Sequence, residues 1–161
     1  MDSGGQTPFV KIKHIFLASL LSLGITAGLR AETPGAMTVA ISGNDTMKYS
    51  VTKIEAHPGQ KITVVLTNEG NLPKETMGHN WVLLNAGANP VAYANLAASA
   101  KADNYQPKAF ASHVIASIPT LGPKETGKVI FTAPSAPGSY PYLCSFPAHC
   151  ASGMKGVLIV K

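Results

Sequence analysis

The chain has 161 residues and a formal net charge of +5 at pH 7, which fits one domain preceded by a short processed segment. Its lysines are scattered along the sequence, so it lacks the basic patch of a nucleic-acid-binding protein. Because a domain of this size buries about two-thirds of its unfolded surface, its two cysteines are not needed to staple a small core.

The N-terminal segment predicts a secretory signal peptide over residues 1–31. Lys11 and Lys13 precede the apolar run 15–29, and Ala31 is a small residue at a suitable cleavage position. The run is shorter than the roughly 20 residues that span a membrane, although an uncleaved N-terminal anchor is the alternative. We therefore expect a mature domain over 32–161 in the periplasm, without a transmembrane span and membrane-associated only if the signal is retained.

The remainder of the chain is predicted to be mostly short strands. β-branched or alternating apolar residues mark each strand, and clusters of Gly, Pro, Asn and Asp separate them. The predicted strands cover residues 37–41, 49–54, 61–67, 80–84, 129–132, 139–144 and 156–160. This pattern is typical of an all-β, Greek-key β-sandwich.

One segment departs from the strand pattern. Residues 89–102 are rich in alanine, and Tyr93 and Leu96 stand at helical spacing. We predict a short helix from Pro90 to about Ala100, inserted between strands and followed by a loop over residues 104–110.

Four residues in two segments of the sequence are candidate metal ligands. Cys144, His149 and Met154 share one loop at five-residue steps, and His79 opens a predicted strand 65 residues before Cys144. Two imidazoles and a thiolate in a plane, with a weak axial thioether, are the ligand set of a type 1 copper site. A turn containing Pro147 would return His149 to the point where the Cys144 sulfur faces inward.

Two alternatives to copper follow from the same residues. Zinc also accepts one thiolate and two imidazoles, but zinc sites rarely recruit methionine, whereas thiolate and thioether select copper. Cys144 and Cys150 could instead form a disulfide, which would close a small loop and stabilise the fold little through loop entropy. Because the copper set leaves no open position for a substrate, it indicates electron exchange and not catalysis.

The ligand segments also resemble a known family. The matching stretches are SGNDTM (42–47), GNLPK (70–74), MGHNWVL (77–83), CSFPAH (144–149) and MKG (154–156). In these segments the chain resembles the azurins and auracyanins, small blue copper proteins of the cupredoxin family. The resemblance implies an eight-stranded sandwich with the helical insert as a flap, one copper per chain, and a one-electron carrier that is not an enzyme.

The resemblance assigns a role to each residue of the site. It implies that His79, Cys144 and His149 are the equatorial copper ligands and that Met154 is the axial one. It also implies that the backbone carbonyl of Gly78 approaches the copper from the other side.

The resemblance also implies which groups donate hydrogen bonds to the Cys144 sulfur and where redox partner proteins dock. The backbone N–H groups of Asn80 and Phe146 are expected to donate to the cysteine sulfur. Redox partners such as cytochromes or respiratory and photosynthetic complexes are expected to dock on an apolar patch around the exposed edge of His149. The residues of this docking patch are Met47, Leu72, Pro73, Met77 and Ala148.

The sequence departs from the family pattern at two positions beside the ligands. Ala148 replaces the glycine of the usual FPGH, and Cys150 stands where a serine or an aromatic residue is usual. We expect Cys150 to be a free thiol, because Cys144 is used by the copper. His57 and His113 are expected to lie away from the metal.

The main alternative function is copper handling, in which the same ligand set buffers or delivers the metal. The Met-rich and His-rich tracts common in such proteins are absent from the sequence. A multicopper enzyme would need further copper sites and domains.

Overall fold

The computed structural model describes residues 1–5 and 34–161. The predicted signal peptide lies outside the described residues except for its first five, so it stays a prediction. The described residues 34–161 belong to one compact unit. Within the described ranges, no helix is both long enough and apolar enough to cross a membrane.

The described residues form eight strands and a few short helices. The strands are β1 (Met37–Gly43), β2 (Lys53–Ala56), β3 (Lys61–Asn68), β4 (His79–Leu84), β5 (Val114–Leu121), β6 (Thr126–Thr132), β7 (Gly138–Leu143) and β8 (Lys155–Val160). The helices are α1 (Lys74–Met77), α2 (Pro90–Ala97) and the 3-10 helices Lys101–Asp103 and Lys108–His113.

The strands form two packed sheets. One sheet has the order β1-β3-β6 and the other the order β2-β8-β7-β4-β5. β1 pairs parallel with β3, and β2 pairs parallel with β8, whereas the other pairs are antiparallel. The predicted all-β Greek-key sandwich with a helical insert is confirmed.

The core lies between the sheets and follows from the residue pattern. Every second residue of β3 is buried, which places Ile62, Val64 and Leu66 against the opposite sheet. All six residues of β4 are buried, because β4 lies between β5 and β7 and α2 lies against its Leu84 end. Each fully buried side chain of this size contributes about 1.5–3 kcal/mol. β4 is therefore a rigid support for its first residue, His79.

Three elements differ from the sequence-based expectation. β5 was not among the predicted strands; its Pro119 is tolerated because β5 is the edge strand of its sheet. Tyr49 forms only an isolated bridge with Gly43, and β2 begins at Lys53. The helix ends at Ala97, and part of the expected loop is the 3-10 helix Lys108–His113.

Candidate metal centre

The loop between β7 and β8 carries three of the four expected ligands. Its base is closed by the backbone N–H of Cys144, which donates to the carbonyl of Met154 over 3.0 Å. Within the loop, the N–H of Met154 donates to the carbonyl of His149 over 2.9 Å, and the N–H of His149 donates to that of Phe146 over 3.1 Å. These bonds fix the loop backbone without using any ligand side chain.

Three donor atoms converge at the end of the sandwich where β4 begins. Nδ1 of His79 lies 3.2 Å from Nδ1 of His149, and Sγ of Cys144 lies 3.5 Å from the same His149 nitrogen. All three donor atoms are within 4.8 Å of one another. Across residues 1–5 and 34–161, no other group of His, Cys, Asp or Glu side chains has such geometry.

Met154 is fully buried beside these three residues. Its position is marked by Gly43, because a Cβ added there would lie 2.5 Å from Met154 Cε and 3.4 Å from His79 Cδ2. The end of the methionine side chain and the His79 ring therefore both lie next to Gly43. A thioether so placed can serve as the weak axial ligand of the set.

Burial keeps all of these groups uncharged in the metal-free protein. Desolvation lowers the pKa of His149 to about 4, with a smaller effect of His79. Desolvation also lowers the pKa of His79, opposed by the backbone of Asn44 and the charge of Asp45. Burial raises the pKa of the Cys144 thiol to about 12. Both imidazoles thus offer a lone pair at neutral pH, and the thiol loses its proton when a metal binds.

This donor set fits copper. Two imidazole nitrogens, one thiol and one thioether combine borderline and soft ligands, which is the choice that selects copper over magnesium or calcium. All four donor residues are 2% exposed or less, so the set is screened from water.

Comparison with known proteins decides the family. The model of "Copper binding proteins, plastocyanin/azurin family" matches residues 35–161. The chain belongs to this family. It is 39% identical to the azurin of Pseudomonas fluorescens biotype C over 127 residues, which cover 76% of this chain and 97% of that protein.

Auracyanins are similar to this cupredoxin as well. It is 34% identical to auracyanin-B of Chloroflexus aurantiacus over 130 residues, which cover 80% of this chain but only 54%, about half, of that longer protein. The structure of dithionite-reduced auracyanin from Roseiflexus castenholzii matches with a TM-score of 0.68 at 32% identity, over 80% of this chain and 99% of that one. The cofactor of the family is copper, and His79, Cys144, His149 and Met154 are arranged as a type 1 copper site.

Asn80 connects the ligand strand to the ligand loop. Its backbone N–H donates to Cys144 Sγ over 3.5 Å, and its side-chain Oδ1 accepts from the N–H of Ser145 over 2.7 Å. Its Nδ2 donates to Ser145 Oγ over 2.8 Å and to the carbonyl of Asn104 over 3.2 Å. One buried amide thus holds β4 against the residue that follows the cysteine.

The backbones of Phe146 and Gly78 lie beside the ligands Cys144 and His79. The backbone of Phe146, like that of Asn80, lowers the pKa of Cys144 against the effect of burial, and its ring packs 4.7 Å from the His149 ring. The backbone of Gly78 raises the pKa of His79, which places it beside that imidazole. A Cβ at Gly78 would lie 2.5 Å from Thr120 Cγ2, so packing requires the glycine although its φ of −65° does not.

The predicted docking patch is only partly as expected. Leu72, Pro73 and Ala148 are exposed, whereas Met47 and Met77 are half-buried. His149 itself is only 2% exposed, so its imidazole has much less solvent-exposed surface than expected.

Among the described residues, Cys150, His57 and His113 do not contribute to the cluster. Both cysteines are free and buried, so the alternative Cys144–Cys150 disulfide is not formed. The exposed His57 ring contacts the carbonyl of Lys161, with Nδ1 3.1 Å away. His113 is exposed and packs on Phe110 with ring centroids 5.9 Å apart.

Two residues beside the site escaped the sequence analysis. Gly43 was recognised only as part of a matching segment, and its contact with two ligands depends on how β1 lies against β4. Lys48 donates from Nζ to the carbonyl of Ser152 in the ligand loop. Neither contact leaves a signal in the local sequence.

Proposed function

We propose that this cupredoxin is a one-electron carrier of the periplasm. The single observation that carries the proposal is the burial of all four donor residues, each 2% exposed or less, which screens the donors from solvent. When bound, copper supplies a Cu(I)/Cu(II) couple. The chain supplies fixed donors and excludes water, so little has to move when the charge changes.

Each residue of the site has a part in this proposal. His79, Cys144 and His149 would hold the metal, and Met154 would add a weaker thioether donor. The backbone of Gly78 lies next to the His79 imidazole, whose pKa it raises. The N–H groups of Asn80 and Phe146 lower the electron density on the cysteine sulfur, which tunes the reduction potential.

The docking patch supports transient contact with redox proteins. Five apolar residues offer the surface for this contact: Met47, Leu72, Pro73, Met77 and Ala148. Small contacts of this kind are typical of weak electron-transfer encounters. Partners such as cytochromes or respiratory and photosynthetic complexes fit this surface, and the predicted signal peptide fits a periplasmic location.

A pair of matched leucines tests the docking patch. Leu72 lies in the patch and is 44% exposed, whereas Leu96 lies on α2, near the opposite end of β4, and is 47% exposed. Leu72→Asp should slow electron exchange of the copper-loaded protein with a reduced c-type cytochrome by roughly tenfold or more, because a charge is desolvated in the contact. Leu96→Asp should leave the stopped-flow rate unchanged.

The same preparation separates electron transfer from copper handling. A carrier should keep its copper when a Cu(I) chelator is added, because the donors are buried, and should still be oxidised and reduced reversibly. Rapid loss of copper to the chelator, together with equal rates for the two leucine variants, would favour a buffering or delivery protein.

A further inference from the structure

Tyr49 is a buried tyrosine at the edge of the copper site. It lies between β1 and β2, pairs with Gly43 through an isolated bridge and is only 5% exposed. Its hydroxyl donates a hydrogen bond to the backbone carbonyl of Asn80 on β4. This bond joins the segment before β2 to the strand that begins with the ligand His79.

The carbonyl of Asn80 needs such a donor because Asn80 is not paired with a residue of a neighbouring strand. β4 pairs with β5 through His79 and Trp81, and the register shifts between these two residues. On its other side, β4 pairs with β7 only from Val82 onward. Asn80 therefore has no partner residue in either neighbouring strand, and a buried carbonyl without a donor is strongly unfavourable.

The other polar groups of Asn80 hydrogen-bond to Cys144 and to Ser145, the residue that follows it. Its N–H donates to Cys144 Sγ over 3.5 Å, and its side chain accepts from the Ser145 N–H over 2.7 Å and donates to Ser145 Oγ over 2.8 Å. The Ser145 hydroxyl donates in turn to the carbonyl of Tyr105 over 2.6 Å. Any shift of the Asn80 backbone would therefore move the N–H that faces the sulfur.

We propose that the hydroxyl of Tyr49 is a positioning group for the copper site, which fixes Asn80 so that its N–H keeps facing the sulfur of Cys144. Hydrogen bonds to the cysteine sulfur tune the potential of such sites, and the network acts as a unit because its members are buried and polarise one another. The inference rests on the proposed function, since a tuned potential matters only to an electron carrier.

Tyr142 provides a matched control. It is buried, its ring centroid lies 5.9 Å from that of Tyr49, and its hydroxyl also donates to a backbone carbonyl, that of Val51, over 2.7 Å. Neither this hydroxyl nor its acceptor is hydrogen-bonded to Asn80. Tyr49→Phe and Tyr142→Phe therefore each remove one buried hydroxyl from the same core, and only the first releases Asn80.

The first arm of the experiment uses the copper-free protein. Amide hydrogen exchange by NMR should be faster by about tenfold at Asn80 and Ser145 in Tyr49→Phe than in the wild type. In Tyr142→Phe these two amides should exchange no faster than expected from any global loss of stability. Equal exchange at Asn80 and Ser145 in the two variants would overturn the proposal.

The second arm uses the copper-loaded protein. The reduction potential of Tyr49→Phe should fall below that of the wild type, since a weaker N–H···S contact leaves more electron density on the sulfur, while Tyr142→Phe should keep the wild-type potential. An unchanged potential in Tyr49→Phe would show that Tyr49 is a core residue only. If the wild type bound no copper, the proposed function would fail, but the copper-free exchange data would still decide whether Tyr49 positions Asn80.

Discussion

Gly43 lies against two copper ligands at once. A methyl group there would come 2.5 Å from Met154 Cε and 3.4 Å from His79 Cδ2. The end of a methionine side chain is flexible, whereas the His79 ring is held by β4, so Met154 would be the residue that yields.

Gly43→Ala should therefore raise the reduction potential of the copper-loaded protein. The added methyl group displaces the thioether, and a weaker axial ligand favours the reduced state. Overpacking should also lower the free energy of unfolding by about 1–3 kcal/mol. Voltammetry would measure the potential, with Gly138→Ala as control because its Cβ would meet nothing closer than 3.6 Å. The same potential in both variants would refute this reading of Gly43.

Ala148 has a backbone conformation that suits glycine. Its φ is +69°, in the left-handed region, directly before the ligand His149. The Cβ of an L-residue is unfavourable there by about 1–2 kcal/mol. The loop thus retains some strain where the family more often has glycine.

Ala148→Gly should raise the free energy of unfolding of the copper-free protein by up to about 1 kcal/mol, since relief of strain exceeds the added freedom of the unfolded chain. Ala151 is the control, because it lies in the same loop without a positive φ. Ala151→Gly should lower the unfolding free energy by about 0.5–1 kcal/mol. Urea denaturation would measure both, and a loss of stability in both variants would contradict the strain argument.

At the scale of the element, the ligand residues could be predicted from the sequence. The residues that pack against the site or hold it in position could not. Cys144, His149 and Met154 lie on one short loop, and His79 stands in a recognisable motif, so spacing and donor chemistry were sufficient. The contacts of Gly43 and Tyr49 with the site depend on residues distant in sequence. No local pattern records them.

The strands show the same limit. β3 was predicted within one residue because its β-branched residues alternate through the core. β5 was not predicted; it contains Pro119, which would not fit a central strand but is tolerated because β5 is an edge strand. The helix was found, although its end was placed a few residues late.

The start of α2 depends on Asn89. Its side-chain oxygen accepts from the N–H groups of Val91 and Ala92, and Pro90 occupies the first turn, where no N–H is needed. Asn89→Ala should lower the free energy of unfolding by about 1 kcal/mol. Asn95→Ala, at an exposed position within the helix, should be neutral or slightly stabilising because alanine is the better helix former. Thermal unfolding that ranks the two variants in the opposite order would contradict this assignment of the N-cap.

For the whole molecule, burial of uncharged imidazoles makes the copper-free protein sensitive to acid. The pKa of His149 falls from 6.5 in the unfolded chain to about 4 in the folded state. Between these values the unfolded state binds more protons, so this contribution to stability is complete above pH 6.5 and is lost as the pH falls toward 4.

Urea unfolding of the copper-free protein should therefore give a free energy of unfolding that decreases from pH 6.5 to pH 5. His113→Gln should show the same decrease, because this exposed histidine lies outside the site. A flat profile over this range in the wild type would mean that the imidazoles are not held neutral by burial.

The central claim is that Cys144 binds copper as a thiolate in a closed site. The visible absorption spectrum after addition of Cu(II), and again after ascorbate, tests it most directly. The wild type and Cys150→Ser should show an intense band in the red region that bleaches on reduction, and Cys144→Ser should show none. A band that survives in Cys144→Ser, or that disappears in Cys150→Ser, would contradict the assignment of the copper ligand.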